Sequence, residues 1–322
     1  MDGKRDRALG GRPVRPPGPE VQRLLCRLEL VVTRRLRGLV QGEHLGLFPG
    51  AGSEPGDSRP YVPGDDVRLI DWNVTARTGE AHVRDPVADH EVDLWLLADV
   101  SASQHFGTTT REKREVVVGL AAAFGLPATR LANRVGAVVV GGGAVVTVPA
   151  SAGRARLFAL LHRVLTTPAR EGEGRTDLAG ALRQLDGVAR RRGVVVVISD
   201  FLCLPGWEAA LGRLGARHDL VVAEVVDPRE LELPPMGVLT LVDPETGRSR
   251  VVDTSRARLR TAFARAAMTQ RAAVAAAVAR AGAHHLVVST DADWLAEALA
   301  FFARRRRRWT YRATPRREGA AR

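Results

Sequence analysis

Val92-Asp93-Leu94-Trp95-Leu96-Leu97-Ala98-Asp99-Val100-Ser101-Ala102-Ser103 decides the fold class of this chain. Six apolar residues, Leu94 to Ala98 with Val92 just before, run almost unbroken into an aspartate and two serines. A run of this length without polar alternation suits a strand covered on both faces. Val194 to Ile198, bounded by Gly193 and by Ser199-Asp200, repeats the pattern of an apolar strand closed by an acid. Leu220 to Val226 and His285 to Ser289 supply further strands. Between them lie segments of helical spacing: 111–133, 154–165, 177–192, 207–217, 256–280 and 294–303. Gly136 to Val140 and Val145 to Val148 flank three glycines, and Val238 to Val242 and Arg250 to Asp253 flank Asp243-Pro244-Glu245-Thr246-Gly247; both pairs read as hairpins. Strands alternating with helices predict an α/β domain, a doubly wound and mostly parallel sheet of about six strands.

The chain has 322 residues, 45% of them apolar, which allows one α/β domain of about 200 residues plus a smaller unit. Residues 1–19 are Gly, Pro and Arg and are expected to be disordered. Residues 20–90 form an N-terminal extension: an amphipathic helix from Val21 to Val40, then a loop-rich stretch with short strands. Residues 91–303 form the α/β domain, and 304–322 a basic C-terminal tail. Lys+Arg number 48 against 36 Asp+Glu, a net charge of +12, and only Lys4 and Lys113 are lysines. Cys26 and Cys203 form no framework or metal-ligand spacing, as expected of a reducing compartment. The arginine-rich start has no apolar signal core, and no apolar run reaches the roughly 18 to 20 residues of a membrane span, so a cytoplasmic protein is expected.

In a doubly wound sheet, ligands bind beyond the carboxyl ends of the strands, at the point where strand order reverses. The residues expected there are Asp99, Ser101 and Ser103 after the first strand, Thr176 in Gly174-Arg175-Thr176-Asp177, and Asp200 after the Val194 strand. All five carry oxygen. Hard divalent cations such as Mg²⁺ or Mn²⁺ take oxygen ligands, and Asp200 can approach directly or through water. Two carboxylates and three hydroxyls would leave such an ion electrophilic toward an incoming carboxylate. The competing expectation is that the two serines and Asp200 only cap following segments.

This ordered set resembles the metal-ion-dependent adhesion site of von Willebrand factor A domains. A second stretch, Arg59-Pro60-Tyr61-Val62-Pro63-Gly64-Asp65-Asp66-Val67-Arg68-Leu69-Ile70-Asp71-Trp72 followed by Ala76-Arg77, with Glu91 and the Asp99 motif downstream, resembles the domain of unknown function 58 family. The resemblance runs from about residue 42 to 302. It implies a von Willebrand factor A-like fold, the soluble branch of the family, a Mg²⁺ or Mn²⁺ at the five positions, and partnership with a MoxR-type AAA+ ATPase or its client. Gln104 stands where a Met often follows the last serine, and Phe201 where many adhesion sites have Gly. Tyr61, Ile70 and Trp72 are expected to anchor the Pro63–Asp66 turn, with Asp65, Asp66, Arg68, Asp71 and Arg77 as a polar network, unless this segment is a docking surface.

Enzyme classes find little support. There is no phosphate-binding G-x-x-x-x-G-K-[ST] run and no G-x-S-x-G elbow. Ser101 stands where a haloacid-dehalogenase-type phosphatase needs a second acid, and Asp99 and Asp200 fall short of a two-metal nuclease. His105, two residues past Ser103, is the one histidine near enough in sequence to serve as a base. The other binding class is contact with nucleic acid or an acidic surface through Arg304 to Arg308, Trp309, Tyr311 and Arg312; it is the less expected partner. His284 and His285 read as structural. The expectation is a non-enzymatic interaction module that engages a partner's acidic residue through its cation.

Overall fold

The computed structural model describes residues 19–39, 58–63, 65–84, 92–109, 111–141, 143–168 and 175–313. The segments expected to be disordered or tail-like at 1–18 and 314–322, together with Gly64, Glu91 and Gly174, lie outside the described residues.

The elements follow in chain order. Helix α1 (Pro19–Leu39) precedes a small unit of β1 (Ser58–Pro60), α2 (Trp72–Thr78) and β2 (His82–Arg84). The α/β domain then runs β3 (Asp93–Asp99), α3 (Lys113–Arg130), β4 (Arg134–Gly141), β5 (Ala144–Ser151), α4 (Arg154–Thr166), α5 (Leu178–Val188), β6 (Val194–Ser199), α6 (Glu208–Arg217) and β7 (Asp219–Val226). It continues through α7 (Pro228–Leu231), β8 (Val238–Val242), β9 (Ser249–Asp253), α8 (Ala257–Arg280), β10 (His284–Ser289) and α9 (Trp294–Ala313).

Six strands form one sheet in the order β10-β7-β6-β3-β4-β5. The first four pairings are parallel and β4–β5 is antiparallel, which gives the mostly parallel, doubly wound sheet expected. The chain leaves β3 for β4 on one side and later returns to place β6 on the other. The strand order therefore reverses between β3 and β6, and a crevice opens beyond their carboxyl ends.

The strand residues alternate between two layers of core, as a period of two requires. Leu94, Leu96 and Ala98 of β3 pack with α1, α3, α4 and α9, whereas Trp95 and Leu97 pack with α5, α6 and α8. Helix α3 is buried over nearly its whole circumference, so small residues set how closely its neighbours approach. A Cβ at Gly119 would lie 2.8 Å from the Trp294 ring, and one at Gly125 2.5 Å from a Leu157 methyl. Phe124 of α3 meets Phe302 of α9 edge-on, ring centroids 5.0 Å apart.

The amphipathic reading of the first helix places it correctly. Leu25, Val32 and Leu36 of α1 are buried in the same core layer as α3, α4 and α9. Polar ties reinforce the contact: Arg154 donates to both oxygens of Glu29, at 2.8 and 2.6 Å, and Arg130 donates to Thr33 Oγ1 at 2.9 Å.

In the small unit, Arg59 donates to both carboxylate oxygens of Asp65 at 2.7 Å, and this guanidinium holds the Asp65 carboxyl down at about 2. Asp71 is buried and caps α2 through bonds from the N–H groups of Asn73 and Val74. The expected anchoring role of Trp72 is not met, since that side chain is 71% exposed. The cap at Asp71 starts the helix by turning the next residue outward; the backbone, through an Ile70–Val83 bridge and Tyr61 N donating to Ala81 O, ties the unit together.

A second difference concerns the basic run. Helix α9 continues through Ala313, so the boundary expected after 303 falls inside a helix. Arg305 is 2% exposed and pairs with Asp219 at the start of β7. Arg305 thus lies on the inward face of the helix, which composition alone conceals.

Two stability experiments follow from this packing. Leu25→Ala should lower unfolding stability by about 2–5 kcal/mol, whereas Leu24→Ala, whose side chain is half exposed, should change it by less than about 0.5 kcal/mol; urea denaturation reads both. Truncation after Ala303 removes Arg305 and leaves Asp219 without its buried partner. A loss of about 3 kcal/mol is expected, and an unchanged urea midpoint would restore the reading of a purely solvated tail.

Candidate functional site

Beyond the reversal point, β3 ends on Asp99 and β6 runs into Ser199-Asp200. Asp99 is 1% exposed and Asp200 6%. Asp99 Oδ1 accepts from Ser101 N at 3.0 Å, and its Oδ2 accepts from Ser199 Oγ at 2.6 Å. Ser199 in turn accepts from Phe201 N at 3.0 Å, so one hydroxyl couples the two strand ends.

After Asp99 a single 3-10 turn, Ala102–His105, brings two serines to the same edge. Ser101 Oγ and Ser103 Oγ lie 3.2 Å apart, both buried. Neither makes the capping bond that a purely structural role predicts: Ser101 flanks the turn with no side-chain cap bond. Asp200 is likewise no cap for α6; its Oδ1 accepts from Leu202 N at 3.0 Å. The Thr176 loop joins the cluster through its backbone, since Leu204 N donates to Thr176 O at 3.3 Å. Asp177 beside it caps α5 by accepting from Gly180 N.

Ser199, read from the sequence as the end of the Val194 strand but not as a ligand, takes part, and three further participants escaped the sequence reading. Lys113, at the start of α3, is fully buried, and its Nζ donates to Asp200 Oδ2 at 2.6 Å and to Glu230 of α7. Burial alone would pull its pKa down, but Asp200 and Glu230 outweigh that and raise it, so the ammonium stays charged. Glu245, from the β8–β9 turn, is also buried. Its Oε1 accepts from Ser103 N at 3.2 Å, and its Oε2 accepts from Thr176 N and Thr176 Oγ1, each at 2.8 Å. For Lys113 a signal existed: only two lysines occur in a chain otherwise using arginine. An ammonium is a compact point charge that fits between two carboxylates where a planar guanidinium does not.

Asp99, Ser101, Ser103 and Thr176 are therefore linked by an unbroken chain of short contacts through Glu245, with Asp200 facing Asp99. The electrostatics are lopsided. Asp200 has an ammonium, whereas among the described residues no cationic side chain bonds Asp99. Burial, and then the negative charge of Asp200, push the Asp99 carboxyl up to about 6 against the bonds from Ser199 and Ser101. The nearby Cys203 thiol registers the same field, pushed up by burial and by Asp99, Asp200, Glu208 and Glu245. Among the described residues no three His, Cys, Asp or Glu side chains converge as a metal-holding group, so a cation here would rely on hydroxyl oxygens beside two carboxylates. An oxygen-only donor set around a buried carboxylate without a counter-charge fits Mg²⁺ or Mn²⁺.

Two departures from the adhesion-site pattern acquire a structural meaning. Phe201 has φ 57°, in the left-handed region that glycine enters freely and bulky residues rarely do. The turn after Asp200 thus keeps a glycine-like backbone, and the Phe201 ring is buried against Trp207, centroids 4.8 Å apart. Gln104 is fully buried, and its side-chain amide has no hydrogen-bond partner among the described residues. His105 turns away from the cluster: its Nε2 meets Arg114 and its Nδ1 lies 3.7 Å from Glu112. His285 bonds Glu224 at 2.9 Å and His284 packs against Phe301, away from the crevice.

The family described as "Protein of unknown function DUF58" matches residues 57–273. The chain is similar to Uncharacterized protein Rv1480 of Mycobacterium tuberculosis, 46% identical over 289 residues, which span 90% of this chain and 91% of that protein. It is also similar to Uncharacterized protein MAV169 of Mycobacterium avium, 44% identical over 160 residues, half of this chain and 94% of that protein. Among solved structures, the conserved hypothetical protein BatB from Bacteroides thetaiotaomicron aligns over 67% of this chain and 99% of its own, with 13% identity and a TM-score of 0.42. The SpRpn10 VWA domain aligns over 65% and 93%, with 12% identity and a TM-score of 0.37. On the family match and the extent of the mycobacterial similarity, the chain belongs to the DUF58 family.

Proposed function

We propose that this protein is a non-enzymatic interaction module of the von Willebrand factor A type. Asp99, Ser101, Ser103, Thr176 and Asp200 would hold a divalent cation, Mg²⁺ or Mn²⁺, and the cation would engage an acidic residue of a protein partner. The observation that carries this reading is the buried Asp99 carboxylate, which feels the charge of Asp200 and, among the described residues, bonds only to the Ser199 hydroxyl and to Ser101, whose own hydroxyl pairs with that of Ser103. An uncompensated buried charge is costly, and a bound cation is the compensation that this donor set favours. With Asp200 already bound to Lys113, its part would be indirect, through water. The partner proposed is a MoxR-type AAA+ ATPase or its client, which rests on the family resemblance.

Binding is favoured over hydrolysis by what surrounds the cluster. General acid–base work needs a titratable group within hydrogen-bond reach of the reacting atom. His105, two residues past Ser103, is engaged with Arg114 and Glu112, and the buried Lys113 ammonium is committed to two carboxylates. Contact with phosphates through the C-terminal arginines is the weaker reading, because Arg305 is turned inward to Asp219.

Asp99→Ala should weaken Mn²⁺ binding by more than about a hundredfold, since even residues behind a ligand cost 10–100-fold. The fold should persist, because the change removes a buried charge opposed to Asp200. Mn²⁺ titration by electron paramagnetic resonance with a parallel circular dichroism melt tests both, and retained Mn²⁺ affinity contradicts the cation reading. The same variant, assayed in Mg²⁺ against the purified ATPase, should lose the complex that the parent forms.

Lys113→Met should lower stability by about 3–5 kcal/mol in metal-free buffer, because Asp200 and Glu230 then lose their buried counter-charge. Mg²⁺ should raise the melting temperature of this variant more than that of the parent. Equal Mg²⁺ responses would mean that Lys113 and the cation position do not share an electrostatic environment.

A further inference from the structure

The hairpin of β8 and β9 distributes its exposure in an unexpected way. Its strands pair only with each other and stand outside the main sheet, and Val238, Val242 and Val251 are exposed on them. Yet Glu245, at the tip, is 5% exposed. An acidic residue on a hairpin turn ordinarily sits in water, and burying its carboxylate requires several good donors. The three donors that Glu245 finds belong to Ser103 and Thr176, two of the five positions assigned to the cation.

The turn is shaped to present that side chain. Asp243 accepts from Glu245 N at 3.0 Å and from Thr246 Oγ1 at 2.8 Å, and its own N–H donates to Arg248 O at 2.9 Å. At the base of the hairpin, Thr254 Oγ1 donates to Gly237 O and accepts from Met236 N. Between base and tip the hairpin is set off from the body by a groove of about 1040 Å³, with Leu239 and Leu241 on the hairpin side and Phe106, Leu202 and Phe263 on the other. The two strands are tied to each other at the base, and among the described residues the tip bonds to the body through the Glu245 carboxylate.

We propose that Glu245 is the site's own acidic latch: its carboxylate occupies the Ser103 and Thr176 donors, and a partner's acidic residue binds at this edge by displacing it. This rests on the reading of the site as a receptor for a carboxylate. It follows that the affinity measured for an outside ligand is reduced by the fraction of molecules with the arm open, and that removing Glu245 frees the position for an external carboxylate.

Amide hydrogen exchange on the full chain reads this directly, because two of the three donors are backbone N–H groups. In the parent, the peptides containing Ser103 and Thr176 should be protected. In Glu245→Ala they should exchange about tenfold faster, as loss of a charge-assisted bond implies, while peptides from β3 and β6 stay unchanged. Acetate at tens of millimolar should restore protection in Glu245→Ala and leave the parent unaffected; Glu245→Gln, close in shape, controls for packing and should show a smaller acceleration. Unchanged exchange in Glu245→Ala, or acceleration that acetate fails to reverse, overturns the proposal. Mn²⁺ titration of the same proteins separates the two readings. Intact Mn²⁺ binding with unchanged exchange overturns the arm alone, whereas Mn²⁺ binding that survives Asp99→Ala overturns the site reading instead.

Discussion

Two carboxylates at the ends of adjacent parallel strands repel each other, and the surroundings of the crevice are organised around that repulsion. The reversal of strand order between β3 and β6 sets Asp99 level with the Ser199-Asp200 end of β6, near enough for the Asp200 charge to raise the Asp99 pKa. Burial strengthens their interaction, because little water remains to screen it. The protein answers asymmetrically. Asp200 receives the Lys113 ammonium, and Lys113 is shared with Glu230. Among the described residues Asp99 receives only hydroxyl and amide donors, which ease its charge without cancelling it. This asymmetry is the ground on which a divalent cation is proposed beside Asp99.

The elements farther out hold this arrangement in place. Helix α3 carries Lys113 at its first turn and is packed by α1, α4 and α9, so the ammonium is positioned by a rigid, central helix. Helix α7 presents Glu230 and is itself stapled: Asp227 caps it, and Glu230 answers with its side chain to the Asp227 N–H. The glycine-like backbone at Phe201 directs the β6 loop over Trp207, a strained conformation of the kind found where a site over-determines its own geometry. The β8–β9 arm then covers the front with Glu245.

The sheet was legible because its strands are covered on both faces, so Leu94 to Ala98 and Val194 to Ile198 read as unbroken apolar runs. The five candidate positions were drawn from the carboxyl ends of such strands, where ligands collect, and the fold links Asp99, Ser101, Ser103 and Thr176 there by hydrogen bonds. Other features were hidden for physical reasons. Glu245 lies 142 residues from Ser103, and its hairpin turn chemistry describes a solvated tip; only tertiary contact shows that the tip is buried. Lys113 looks like an ordinary charged residue opening a helix. Trp72 reads as an anchor by its size, but the Asp71 cap turns it outward. Arg305 hides among four other arginines, and only the continuing helix reveals that it faces Asp219.

The central claim is that the charge missing beside Asp99 is a divalent cation held by oxygen. The most direct measurement is a crystal structure of the full chain grown in Mn²⁺, with the ion located by its anomalous signal. The account predicts one peak beyond the ends of β3 and β6, at metal–ligand distance, about 2.0–2.3 Å, from oxygens of Asp99, Ser101 and Ser103. A peak elsewhere, or an empty crevice with Asp99 satisfied by protein donors alone, would contradict it.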